Sequence, residues 1–157
     1  MPVSKEELLA RFNQVMGAEY QYPREICSLM VRDSGSQYIQ AIYRYGPETD
    51  ASKPYLKAHF LPRRLLPGLL LGEAMAQTAG LLLWAIRGVE VLFVLREIGS
   101  LKFLKPVNPE TDVLLQATLV ERKRIFFKFQ IEAFHRDGEP LVEATQCTLV
   151  VVRSQNL

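Results

Sequence analysis

The sequence predicts an α+β domain in which an antiparallel sheet wraps around one long central helix. Three observations carry this expectation. Residues 68–87 are apolar on every side and contain no internal proline. Four β-patterned runs follow in close succession, at roughly 91–103, 112–121, 125–135 and 141–152. A shorter amphipathic helix and one strand come before them. A helix without a polar face must be covered, and a sheet of this size is the element the chain has for covering it. No repeat, low-complexity tract or linker interrupts the 157 residues, so a single domain over 1–157 is expected.

Each element has its own reason. Ser4 followed by Glu7 is the S-x-x-E capping pattern, and Leu8, Leu9, Phe12, Val15 and Met16 then recur at helical spacing. This predicts a helix over about 4–17, ending near Gly17. From 37 to 45, Ile39, Ala41, Tyr43 and Tyr45 share one face of a strand. The segment "GPETDASKP" reads as a loop, and 55–58 as a short extended piece leading to His59. Pro67-Gly68 opens the central helix and Gly88 caps it, so it should span about 68–87. Its small residues, Gly72, Ala74, Ala76, Ala79 and Gly80, permit close approach by whatever covers it. In the third later strand Ile125, Phe127, Phe129, Ile131 and Ala133 alternate with polar residues, the sign of a sheet with one wet face. "ERKR" and "RDGE" are expected as hairpin turns.

Composition narrows the function. With 19 basic and 17 acidic residues the net charge is only +2, too small to motivate a nucleic-acid partner. Cys27 and Cys147 lack metal-like or redox spacing, which fits a reducing, cytoplasmic setting with two free thiols. The first residues show no long apolar segment of the signal-peptide kind. Residues 65–86 are long enough to span a bilayer, but Glu73 near the middle would cost roughly 2.5–3.5 kcal/mol there. A helix buried inside the protein, with no membrane span, is the better expectation. No His/Cys cluster and no G-x-G-x-x-G motif calls for a metal or an organic cofactor.

The chemistry-bearing residues interrupt the apolar stretch "AHFLPRRLLPGLLLGEAMAQTAG" at 58–80. Glu73 and Gln77, four apart, share a helix face with Gly80 and Trp84. A carboxyl group in apolar surroundings is harder to ionise, which suits a general acid near neutral pH. His59 is a candidate base for a proton next to a carbonyl. Gly68 starts the helix with free backbone N–H groups that could hold a carbonyl oxygen as charge builds on it. A base, an acid and an oxyanion donor together describe loss of water from a 3-hydroxyacyl thioester. Arg63 and Arg64, close to His59, are either phosphate or acidic-partner contacts or solvated loop charges. His135, on the inner parity of its strand beside a turn, reads as structural.

These residues also resemble a known family, the 3-hydroxyacyl-[acyl-carrier-protein] dehydratases of the FabZ type, which have the hot-dog fold. The family's pattern is His-Phe-Pro-Gly, a further Pro, Pro-Gly, then Glu-Ala-Met-Ala-Gln. His59-Phe60, Pro67-Gly68 and Glu73-Ala74-Met75-Ala76-Gln77 match it. "KFLKPVNPETD" resembles the family's Pro-Val-x-Pro-Gly-Asp segment, and "RDGEPLVEATQ" its Asp-Gly…Glu-Ala-Thr segment. The resemblance implies that His59 abstracts the α-proton, that Glu73 assists departure of the 3-hydroxyl, and that the two come from opposite subunits of a homodimer. It implies that the Gly68 N–H polarises the thioester carbonyl, with Gln77 and Phe60 at the substrate. It also implies an acyl tunnel, an acyl-carrier-protein or coenzyme A thioester as substrate, and assembly up to a trimer of dimers. The chain departs from the pattern at Ala58, Leu61-Pro62 and Arg64, and "PETD" carries one residue more than Pro-Gly-Asp. Two alternatives therefore stand beside dehydration: a hot-dog acyl thioesterase, and a non-catalytic acyl-thioester-binding subunit.

Overall fold

The computed structural model describes residues 3–16, 23–32, 35–45 and 65–152. In chain order the elements are α1 (Lys5–Met16), β1 (Glu25–Met30), β2 (Tyr38–Arg44), α2 (Gly68–Arg87), β3 (Phe93–Ile98), β4 (Asp112–Lys123), β5 (Phe126–His135) and β6 (Pro140–Val151). The strands form one six-stranded antiparallel sheet in the order β1-β2-β4-β5-β6-β3. The expected α+β architecture, a long helix against an antiparallel sheet, is what the chain adopts.

Register aligns the inward side chains into rows. Ile39 faces Ala117, Ala117 faces Ile131, and Ile131 faces Thr145. Ala41, Leu115, Ala133 and Val142 make the next row. All eight are buried. The helix α2 lies on this face, against β4, β2 and β5 foremost. Ala74, Met75, Ala79, Leu82 and Leu83 are wholly buried there. By length and composition α2 could cross a membrane, but most of it is buried inside this fold. Thr78 is tolerated because its hydroxyl donates to the Ala74 carbonyl at 2.8 Å and lies 3.1 Å from Tyr43 Oη.

The predicted caps are present. Ser4 Oγ accepts the Glu7 N–H at 3.1 Å. Gly88 has φ 98°, which only glycine takes without strain, and its N–H donates to Trp84 O at 2.7 Å.

Four expectations need correction. The strand β1 is present although nothing in "EICSLM" alternates cleanly; it pairs with β2 through a bulge between Ile26 and Ser28. The run at 91–103 is not one strand. It stops at Ile98, and only Phe103 bridges again, to Val142. "ERKR" is not a turn, because Glu121, Arg122 and Lys123 continue β4 and the reversal falls at Arg124 and Ile125. Arg124 supplies the positive φ, 56°, and Ile125 is exposed rather than inward. Finally, α2 is not covered on all sides. Leu69 is 79% exposed and Glu73 is exposed, so one stripe of the helix is open in the single chain.

Both cysteines are free, Cys147 buried and Cys27 partly so. Burial pushes the Cys147 thiol up from 9.0 to about 12, and burial also raises Cys27. A thiolate-selective reagent near pH 8 should therefore modify Cys27 first. Cys147 should remain unlabelled until the protein is unfolded, which peptide mapping after timed labelling would check. Glu110 offers a second prediction. It has φ 66°, a left-handed conformation that penalises a Cβ. Glu110→Gly should raise stability by about 0.5–1 kcal/mol in urea denaturation, the steric relief exceeding the extra chain entropy of glycine.

Candidate active site

The first turn of α2 is fixed by the segment that precedes β4. Leu66 N–H donates to Val107 O at 2.8 Å, Pro67 takes the cap position with φ −57° and ψ 127°, and Gly68 is the first helical residue. Its N–H has no acceptor within the helix, as at every helix start. Gly68 lines a hollow with Leu66, Phe103, Lys105 and Pro106. The Phe103 ring lies directly over it: a Cβ at Gly68 would come 2.8 Å from the ring.

Glu73 opens on another hollow. It lines an apolar groove of about 220 Å³ together with Gln77, Gly80 and Trp84, so the predicted helix face is real. The carboxylate Glu73 Oε1 accepts a hydrogen bond from Gln77 Nε2 at 2.9 Å. Gln77 Oε1 is buried and has no partner among the described residues. An orphaned buried acceptor is a cost to the fold, and it is explained if a donor arrives from a bound molecule. Gly68 and Glu73 are five residues apart, which turns the helix by roughly 140° between them. They line separate hollows, so one chain does not aim both at the same reacting atoms.

The expected burial of Glu73 is corrected here. Its side chain is exposed, so a single chain does not supply the apolar surroundings expected for it. His59, Phe60, Arg63 and Arg64 lie outside the described residues, as do Ala58 and Leu61-Pro62. His135 ends β5 opposite Val113, and its backbone N–H donates to Glu139 O at 2.7 Å to close the hairpin. Among the described residues no group of His, Cys, Asp and Glu clusters as metal ligands.

Sequence reasoning missed part of the groove. Phe12 and Val15 of α1, Phe93 and Leu95 of β3 and Leu149 of β6 also line it. The signal was Gly80: a Cβ there would lie 2.4 Å from Phe93 Cζ, so only glycine admits that ring against the helix. Phe93 in turn meets Trp84 edge-on, with ring centroids 5.6 Å apart.

The Gln77 geometry yields a prediction that separates positioning from packing. Gln77→Leu removes the donor that orients Glu73 and also removes the orphaned acceptor. Folding stability should stay equal or rise by about 1 kcal/mol. If Glu73 is a reacting group, turnover should fall roughly 10- to 100-fold, chiefly in kcat, because its carboxylate loses its fixed orientation. Urea denaturation and steady-state kinetics on the same preparation would check both.

Residues 38–141 match the ApeI-like family, described as ApeI dehydratase. A 3-hydroxyacyl-[acyl-carrier-protein] dehydratase FabZ of Brucella melitensis is 32% identical over 108 residues, covering 68% of this chain and 68% of that protein. The FabZ of Syntrophobacter fumaroxidans is 32% identical over 87 residues, and the chain spans only 58% of its length. Among solved structures, a Silicibacter sp. TM1040 protein assigned as a thioesterase aligns with TM-score 0.71 and 20% identity, over 98% of this chain and 95% of that one. The dehydratase heterocomplex ApeI:P from Xenorhabdus doucetiae aligns with TM-score 0.63 and 16% identity, over 99% and 93%. At these identities the structural likeness is one of fold, and that fold is the hot dog. The match across most of the sheet and all of α2 settles membership: the chain belongs to the ApeI-like dehydratase family.

Proposed function

We propose that the chain acts on acyl thioesters and, of the reactions open to this fold, dehydrates 3-hydroxyacyl thioesters to trans-2-enoyl thioesters. The thioester would be carried on acyl carrier protein or coenzyme A, in fatty-acid or polyketide-type biosynthesis. His59 takes the α-proton, the electron pair moves into the Cα–Cβ bond, and Glu73 protonates the departing hydroxyl, which leaves as water. The Gly68 N–H donates to the thioester oxygen as negative charge builds on it. Arg63 and Arg64 contact the phosphate of the pantetheine arm or the acidic carrier. The two free thiols suit a cytoplasmic setting.

The observation that carries this reading is the separation of Gly68 and Glu73 into different hollows of one chain. A site that uses both needs two copies, one giving His59 and Gly68, the other Glu73 and Gln77. The β3 edge, with Leu92, Val94 and Leu95 exposed, is the face such pairing would cover. Covering it would also remove water from Glu73, the condition under which a carboxylic acid can donate a proton near neutral pH.

A second reading is hydrolysis. The exposure of Glu73 in the single chain favours it, since a solvated carboxylate can act on water as base. The likeness to a thioesterase-assigned protein shares that direction.

One set of measurements divides the two. With 3-hydroxyacyl thioesters, dehydration is read as enoyl absorbance, and hydrolysis as free thiol. His59→Ala and Glu73→Gln should each lose at least about 100-fold of the enoyl signal. If the site is shared, mixing the two inactive variants and letting subunits exchange should restore about a quarter of wild-type activity. Half of the resulting dimers are then mixed, and each mixed dimer holds one intact site of two. Thiol release without enoyl product would transfer the assignment to hydrolysis. Enoyl formation that survives both substitutions would remove the proposed roles of His59 and Glu73.

A further inference from the structure

The sheet has a second face, turned away from α2. Ala41 and Tyr43 are buried on the inner side, so strand alternation sends Ile42 and Arg44 to the outer one. Where β2 stops and β4 starts, Arg44 stands opposite Asp112. Glu25, the first residue of β1, stands opposite Ile42, and the N–H of Arg24 before it donates to Ile42 O at 2.8 Å. Arg136 follows the last residue of β5, in the hairpin that His135 and Glu139 close. Four stretches of chain thus bring Arg24, Glu25, Ile42, Arg44, Asp112 and Arg136 around one hollow of about 390 Å³. It shares no residue with the groove at Glu73 or the hollow at Gly68.

Asp112 organises this hollow. Its side chain is 13% exposed. Its Oδ1 accepts from Arg44 Nε at 2.7 Å, and its Oδ2 accepts from Arg136 Nη1 at 3.0 Å. One carboxylate therefore holds two guanidinium groups side by side and can neutralise only one of them. Arg24 is exposed and joins no ion pair among the described residues. Three guanidinium groups face two carboxylates, those of Asp112 and the exposed Glu25, which leaves an excess of positive charge. A network that only held the β5–β6 hairpin to β4 would need Asp112 and Arg136, and would have no use for Arg24.

We propose that the hollow is a binding site for a phosphomonoester, held by Arg24, Arg44 and Arg136 with Asp112 as their brace. Guanidinium forks match phosphate oxygens in pairs and hold them by charge-assisted hydrogen bonds. A phosphate offers three oxygens to converging forks. A carboxylate offers two, and Asp112 itself shows that two are used up by two of the arginines. The brace fixes those two forks before the ligand arrives, which lowers the ordering cost of binding. The hollow lies within the small-molecule range of roughly 300–1,000 Å³, and it is larger than a bare phosphate fills. Ile42 is its single apolar lining residue, so the organic part of the ligand is small and polar. The site is on the face of the sheet away from α2, and it does not depend on the thioester reading.

The test is titration of the full chain with inorganic phosphate and with glycerol 3-phosphate, by calorimetry at constant ionic strength with chloride as the balancing anion. Both should bind saturably, with Kd on the order of 1 mM or tighter, glycerol 3-phosphate the more tightly. Arg24→Gln should weaken both about tenfold, and Glu25→Gln, which removes a like charge, should tighten both about threefold. Both side chains are exposed, so these variants should fold as the wild type does, and the opposite signs separate a binding site from a structural network. Coenzyme A against dephospho-coenzyme A, which lacks the 3′-phosphomonoester, tells two sources apart. Tighter binding of coenzyme A, lost in Arg24→Gln, supports the site and assigns it to a thioester carrier. Equal affinity for the two, with glycerol 3-phosphate bound, supports it as a site for a free phosphorylated metabolite. No saturation by either phosphate up to about 20 mM would overturn the proposal. So would binding that both substitutions leave unchanged, or that chloride displaces as well as phosphate does.

Discussion

The structure depends on the burial of α2 against the inner face of the sheet. Its leucines, alanines and Met75 are removed from water by β2, β4 and β5, and each large apolar side chain so buried contributes about 1.5–3 kcal/mol. That demand sets the register of the central strands. A slip of one residue would turn Ile39, Ala41 and Tyr43 outward and leave the helix without a partner. It also explains the small residues. Ala74 and Ala79 let the helix axis approach the sheet, and Gly80 lets the Phe93 ring reach the helix from the side.

A helix covered by a single sheet keeps one open stripe, and here the stripe holds the candidate residues. Leu69, Glu73 and Gln77 follow one another at four-residue spacing along it. A carboxylate on the sheet side would be costly to desolvate; on the open side it meets water until another surface covers it. The fold thus presents an exposed Glu73 on the wall of an apolar groove, beside a buried Gln77 oxygen whose missing partner costs the fold.

The loops outside the helix act on the site by holding its start. The segment from Phe103 to Asp112 is tied to the β5–β6 hairpin by Lys105 with Glu139 and by Asp112 with Arg136, and to β2 by Asp112 with Arg44. These pairs are partly or largely exposed and contribute little stability each. Their consequence is positional: the segment they hold presents Val107 O to Leu66 and Phe103 to Gly68, and so fixes where α2 begins. Glu110, in the same segment, holds a left-handed φ of 66°, a conformation that glycine takes at lower cost.

What the sequence determined alone was periodicity and punctuation. All-round apolarity at 68–87 demanded a covered helix, alternation in Phe127, Phe129 and Ile131 demanded a one-sided sheet, and Ser4 and Gly88 marked helix ends, because each follows from local chemistry. The shared face of Glu73, Gln77, Gly80 and Trp84 was legible for the same reason, being fixed by helical geometry. Only the tertiary structure decided what depends on distant neighbours. It paired the irregular β1, ended β3 at Ile98, and brought Phe12 from α1 and Phe93 from β3 to line the groove. It also left Glu73 in water, since burial is set by whether the sheet reaches around to that stripe, and periodicity says which residues share a face but not whether anything covers it.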